Sequence, residues 1–242
     1  MSEKSQSAPY CPQSKVRWSG LKGGGGLLTG FLPPDWVMQS VGMDGCAKPQ
    51  AIEIRTQTFH RRGMIFVLAY PEFETRVAER IARFRAANEP ERAKLVPPHV
   101  TLVFGLRTVK VPEFLSLCDS VAKGASEFVT DFPTHEITHD PFENAHKLLL
   151  LSAVGGRRLV DLHERLYDGP QRAELHPDHP FRPHMTVATH RERSVLEQLD
   201  ISELGALPIT GAIRSLEIVD LVDQQLRRLR TIPLQKRMSP QN

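Results

Sequence analysis

The chain is poor in cysteine, in long apolar runs and in charge of one sign. Its three cysteines, Cys11, Cys46 and Cys118, are an odd number without CxxC spacing. That argues against a disulfide framework or a cysteine-built zinc site and fits a reducing cytoplasm. No stretch approaches the roughly 18 consecutive apolar residues that a membrane-crossing helix needs. The N-terminus also lacks the basic start and apolar core of a secretory signal, so no membrane partner is expected. Basic residues number 31 and acidic ones 28, a net +3, which suits an anionic ligand but is too mild to demand nucleic acid. One local exception runs from Gln225 to Arg237, where Arg227, Arg228, Arg230, Lys236 and Arg237 occur without an acid. It reads as a strand edge blunted by cations, with contact to a nucleic-acid backbone as the alternative. Gly23 to Gly26 lacks the Lys-Ser/Thr and the preceding strand of a phosphate-cradling loop and is expected to be a linker.

What remains is the composition of a globular protein, 40% hydrophobic and 24% charged over 242 residues, with room for one domain plus an extension. Residues 1–62 combine Ser, Pro and Gln, the glycine run and Pro33-Pro34 with no sustained period. Such a stretch buries little apolar surface against its ordering entropy. It is expected to be a disordered or weakly docked extension, with Phe31, Trp36, Val37 and Met38 as a possible docking helix. Translation starting near Met43 or Met64 is one explanation for it, which peptides from residues 1–40 of the natural protein would refute. Residues 63–235 are expected to form the domain, and 236–242 a tail.

From Met64 the pattern is firm. Met64 to Tyr70 is a continuous apolar strand; Pro71 opens a helix with Phe73, Val77, Ile81 and Phe84 at helical spacing; Asn88-Glu89-Pro90 ends it. A strand from His99 to Leu106 and a helix from Pro112 to about Lys123 follow. The second half repeats this plan: strand Lys147 to Val154, helix with Leu159, Leu162 and Leu166 on one stripe, a proline-rich loop, and strand Phe181 to Thr189. Further strands are expected over Glu127 to Thr138, Ile209 to Ile213, Ser215 to Val222 and Leu226 to Pro233, and a short helix over Glu192 to Leu199.

The two halves share a motif. His99-Val100-Thr101-Leu102 recurs eighty-five positions later as His184-Met185-Thr186-Val187, each copy led by a proline, Pro98 and Pro183. From Met64 to His99 is 35 positions, and from Lys147 to His184 is 37. The repeated unit is therefore strand, helix, loop and Pro-His-x-Thr, and two copies suggest two lobes about a pseudo-two-fold axis. The expected fold class is α+β, with a duplicated strand-helix-strand plan, mainly antiparallel sheets, helices outside and a central cleft. On a strand, His and Thr of one copy share a face. Two imidazoles and two hydroxyls then converge on one small anion. One imidazole can take a proton while the other gives one, and the hydroxyls can hold phosphate oxygens without a metal.

Paired His-x-Thr motifs in this two-lobed setting resemble the 2H phosphoesterase superfamily, the 2′-5′ RNA ligase-like family, over roughly Gly63 to Pro233. The resemblance implies that His99 and His184 are catalytic and that Thr101 and Thr186 bind phosphate, with no cofactor. In the family's usual assignment the first histidine, His99, donates the proton and the second, His184, accepts it. Family substrates are RNA ends with 2′,3′-cyclic phosphates, 2′-5′ linkages and small cyclic nucleotides. The implied protein is a cytoplasmic monomeric phosphodiesterase acting on RNA ends or on small cyclic nucleotides. An RNA-end binding module with little turnover is the alternative. Among further residues, Arg182 is a candidate for a flanking phosphate, with solvent as the equal alternative. Phe104 and Phe181 are the aromatics nearest the motifs and so candidate base platforms, against a core role. His135 with His139, and His176 with His179, have metal-like spacing but no completing ligand set and are expected to be loop residues in contact with water.

Overall fold

The computed structural model describes residues 63–176 and 179–236. The expected extension and most of the tail, with Cys11, Cys46 and the glycine run, lie outside the described residues. The fold is α+β, with two antiparallel sheets. The larger sheet has strand order β2 (Val100–Leu106), β1 (Met64–Phe73), β7 (Ile209–Val222) and β3 (Phe128–Phe132), with β8 (Gln225–Pro233) also paired to β7. The smaller sheet has the order β4 (Thr134–Asp140), β5 (Ala145–Leu151) and β6 (His184–His190). Each histidine strand is thus an edge strand, and β2 and β6 approach one another.

The expected helices form as α1 (Thr75–Asn88), α3 (Val111–Lys123), α4 (Gly156–Leu166) and the short α5 (Arg193–Glu197). Each repeat's helix packs on the histidine strand of the other repeat: α1 against β6, and α4 against β2. Ile81 and Phe84 of α1 and Leu159, Leu162 and Leu166 of α4 enter one core with Val100 and Leu102 of β2 and Met185 and Val187 of β6. The opposite face of the larger sheet carries a smaller cluster, Leu68, Val96 and Val219, with Phe66 and Tyr70 against it. Leu68 is the cross-strand partner of Thr101, so this second face is the one that holds the motif threonine.

Several boundaries differ from expectation. Pro71 does not open a helix; β1 runs through it to Phe73. Pairing with β2 has ended at Ala69, so Pro71 sits where β1 has a single neighbour, with a register shift beside it, and a strand tolerates proline there. An extra helix, α2 (Pro90–Leu95), follows Glu89, with Pro90 in its first turn. The strand expected over Glu127 to Thr138 is two strands in different sheets, β3 and β4, separated at Pro133. Conversely, Ile209 to Val222 is one strand: its outer edge changes partner from β3, opposite residues 209–213, to β8, opposite residues 215–222. His135 and His139 both lie on β4, His135 within the expected strand and His139 just beyond its expected end, and not in a loop, because the apolar β5 pairs along the whole of β4. In the cationic strand, Arg230 pairs with Asp119 at 2.5 Å and Arg228 with Glu217 at 3.6 Å.

Candidate active site

Both histidine strands carry a β-bulge at the same place. On β2, Val67 pairs with Val103 and Leu68 with Thr101, leaving Leu102 extra. On β6, Leu148 pairs with Ala188 and Leu149 with Thr186, leaving Val187 extra. The extra residue and its successor both face the core: Leu102, Val103, Val187 and Ala188 are fully buried. The bulge re-phases the strand, so the fifth residue after each histidine, Phe104 or Thr189, returns to the motif face. Phe104 is 45% exposed. Strict alternation from His99 would instead bury it; the consecutive apolar pair Leu102-Val103 was the available signal.

The two histidines are held alike. His99 Nδ1 lies 2.8 Å from the Pro97 carbonyl, and His184 Nδ1 lies 2.6 Å from the Arg182 carbonyl. A carbonyl only accepts, so each Nδ1 carries the proton and each neutral ring presents Nε2 as its basic nitrogen. Neither Nε2 bonds to another residue among the described residues, and neither do the hydroxyls of the half-buried Thr101 and Thr186. Burial is the main cause lowering His99 from 6.5 to about 4; the positive charges of Arg85, Arg92 and His184 add to it, and the Pro97 carbonyl opposes it. His184 is also lowered, first by burial and then by Lys147 and Arg182, against the Arg182 carbonyl and Glu136. Both residues are only half-buried, which softens both depressions.

The pseudo-symmetry ends at the helices that support the bulges. From α4, His163 Nδ1 bonds the Leu102 carbonyl at 2.7 Å, and beyond the helix end the Tyr167 hydroxyl accepts from the Phe104 amide at 3.1 Å. His163 stacks on Phe181 at 4.0 Å between centroids, and Phe104 meets Phe181 edge-on at 6.2 Å. Phe104 and Phe181 are therefore one aromatic group at this end, reinforced by two residues that sequence reasoning did not single out. The equivalent place near β6 is ionic. Arg85 and Glu89, 2% and 5% exposed, pair at 2.5 Å; Arg85 also donates to the Val96 carbonyl at 2.9 Å, and the Thr189 hydroxyl donates to Glu89 at 3.1 Å.

Arg182, by contrast, makes a bidentate pair with Glu136 at 2.8 and 2.9 Å, which competes with any role toward phosphate. Among the described residues there is no group of three or more His, Cys, Asp or Glu placed to hold a metal ion. His176 and His179 pack instead around Phe142. Cys118 is buried and its thiol pushed up to about 12, mainly by burial, which leaves it unreactive. No helix among the described residues is long and apolar enough to cross a membrane.

An α+β fold in which two edge strands each carry or directly follow a histidine, with a threonine two residues on, is that of a 2H phosphoesterase. The model of the 2′-5′ RNA ligase superfamily matches residues 73–225, and the chain belongs to that superfamily. Among solved structures, the chain is similar to a phosphoesterase at 17% identity and TM-score 0.48, covering 72% of this chain and 99% of that one. It is similar to LigT of E. coli complexed with NADP+ at 18% identity and TM-score 0.46, covering 72% and 98%. It is similar also to Usb1 of Kluyveromyces marxianus with uridine monophosphate at 10% identity and TM-score 0.46, covering 72% and 99%. No curated protein matches the chain. Superfamily membership implies phosphodiester chemistry in general.

Proposed function

We propose that the protein is a metal-independent phosphoesterase that opens 2′,3′-cyclic phosphates at RNA ends or on nucleotides, or cleaves or forms 2′-5′ bonds. His99 and His184 are its acid and base, and Thr101 and Thr186 hold the non-bridging oxygens. The observation that carries this reading is the matched Nδ1–carbonyl bond of the two histidines. It leaves Nε2 of each ring as the titrating atom; in an in-line displacement one neutral Nε2 takes the proton of the attacking water, and the other, protonated beforehand, gives its proton to the leaving oxygen. We place donation on His99 and acceptance on His184. The aromatic group of Phe104 and Phe181 suits a nucleobase, and RNA ends or small cyclic nucleotides are the substrate class.

A panel of 2′,3′-cyclic mononucleotides, cyclic-ended oligoribonucleotides and 2′-5′ dinucleotides, scored by product with and without EDTA, tests this. Turnover of at least one class in EDTA is expected; binding without turnover of any would make the protein an RNA-end binding module instead.

The depressed histidines also set a pH dependence. Turnover needs the singly protonated pair, and with both rings lowered from 6.5 the free protein holds that state only on the acid side. We expect a bell-shaped kcat/KM with its maximum below 6.5, falling as pH rises through neutrality. Bound phosphate favours imidazolium, so the kcat maximum moves to higher pH. A kcat/KM that climbs from 6.5 towards alkaline pH would contradict the arrangement.

A further inference from the structure

Beside β6, a run of side-chain contacts leads from Lys147 through Glu143, Arg92 and Glu89 to Thr189. Arg92 of α2 pairs with Glu143 in the β4–β5 turn, and Glu143 pairs with Lys147 of β5 at 3.0 Å. Lys147 is the cross-strand partner of Thr189, the Thr189 hydroxyl bonds Glu89, and Glu89 lies 3.9 Å from Arg92. Lys147 also pairs with Asp140. Counting Arg85, the cations are Arg85, Arg92 and Lys147, and the carboxylates are Glu89, Asp140 and Glu143. The cluster is neutral, so it attracts no further anion while Glu143 stays in place.

Of the three carboxylates, Glu143 is the one built to leave. Glu89 is buried. Asp140 is fixed because its Oδ1 accepts from the amides of Phe142 at 2.8 Å and Glu143 at 3.3 Å, which holds the turn. Glu143 has a side chain 40% exposed and supports no backbone group. It can swing into water without disturbing the turn, and the cluster of Arg85, Arg92 and Lys147 with Glu89 and Asp140 would then carry one positive charge in excess. A cavity of about 490 Å³ opens beside this point, lined by Glu143, Ala145, Thr189, His190, Arg191 and Glu192. It is large enough for a phosphate and its sugar.

We propose that Arg92 and Lys147 form a second phosphate site, closed in the free protein by Glu143 acting as an internal anion and opened when a substrate phosphate displaces it. This rests on the reading that the reacting phosphate lies between His99 and His184. The ligand class is then a ribonucleotide with a phosphate flanking the reacting one, as at the end of an RNA chain. A mononucleoside cyclic phosphate leaves the site closed. The displacement is an exchange of ion pairs, with no bond broken.

Calorimetric binding of adenosine 3′,5′-bisphosphate and adenosine 3′-monophosphate to the full chain tests this. The bisphosphate is expected to bind roughly tenfold tighter, the factor that one charge-assisted contact supplies. Glu143→Gln should raise the ratio several-fold by removing the competing anion, and Arg92→Gln should bring it towards one. A ratio near one in the parent, or one that neither variant changes, overturns the second site while the cyclic-phosphate panel still stands. If neither nucleotide binds, the second site falls, and turnover in the cyclic-phosphate panel decides the proposed function separately.

Discussion

Replacing His99 or His184 with alanine is expected to lower kcat on a 2′,3′-cyclic phosphate by about 10²- to 10⁴-fold, the usual contribution of a positioned acid or base. The fold should survive. Each ring is only half-buried, and its protein hydrogen bond reaches no further than the carbonyl two residues before it. The core beneath, Val100 and Met185, is untouched. On the proposed mechanism the two groups serve one displacement, so their losses should not add: the double variant should be little worse than the poorer single one. Turnover at the parent rate by the double variant, with unchanged circular dichroism, would remove both residues from the chemistry.

The largest loss of stability is expected from Glu89→Ala, about 3 to 5 kcal/mol, the range for breaking one side of a buried ion pair. Arg85 would be left inside the protein with the Val96 carbonyl as its remaining partner, and Thr189 would lose its acceptor. Glu89→Gln keeps an acceptor oxygen for Arg85 and an amide that can donate to the Thr189 hydroxyl, and should cost less. Replacing the pair by apolar residues, Arg85→Met with Glu89→Leu, should be close to neutral, since it removes the charge along with its partner. Urea unfolding checks this: the midpoint should fall for Glu89→Ala with the slope unchanged. An alanine variant as stable as the parent would mean that the pair is not sealed from water. The uncompensated Arg85 charge should also depress His99 further, moving the limb of kcat/KM that His99 sets to lower pH.

The ionic support under one bulge and the aromatic support under the other are the same device in different chemistry. Arg85 and Glu89 are four residues apart, as are His163 and Tyr167, and each set reaches the fifth residue after a motif histidine in the other repeat's strand. The geometry is matched while the side chains differ, aromatic on one side and ionic on the other, and that asymmetry distinguishes two otherwise equal motifs.

The strands, the helices and the duplication were legible in the amino-acid order because they depend on local periodicity. Val100 and Met185 had to be core once His99 and His184 were placed on strands, and the stripe of Leu159, Leu162 and Leu166 had to face inward. Where partners decide, the order of residues was silent. Ile209 to Val222 looks like two strands because Arg214-Ser215 interrupts its apolar pattern, yet one strand results, since β1 pairs along most of its length. Arg85 looks like a solvated cation and is buried, because α1 packs on the strand of the other repeat and Glu89 follows one turn later. The Arg92–Glu143–Lys147 link joins residues about fifty positions apart. By itself, the sequence determined that two histidines and two threonines sit on matched strands. Only the tertiary structure decided that those strands are facing edges, that bulges turn Phe104 and Thr189 back to the motif face, and that the two ends differ. The physical reason is that alternation and helical pitch act between near neighbours, whereas burial of a charge or the approach of two sheet edges depends on atoms that only the folded chain brings together.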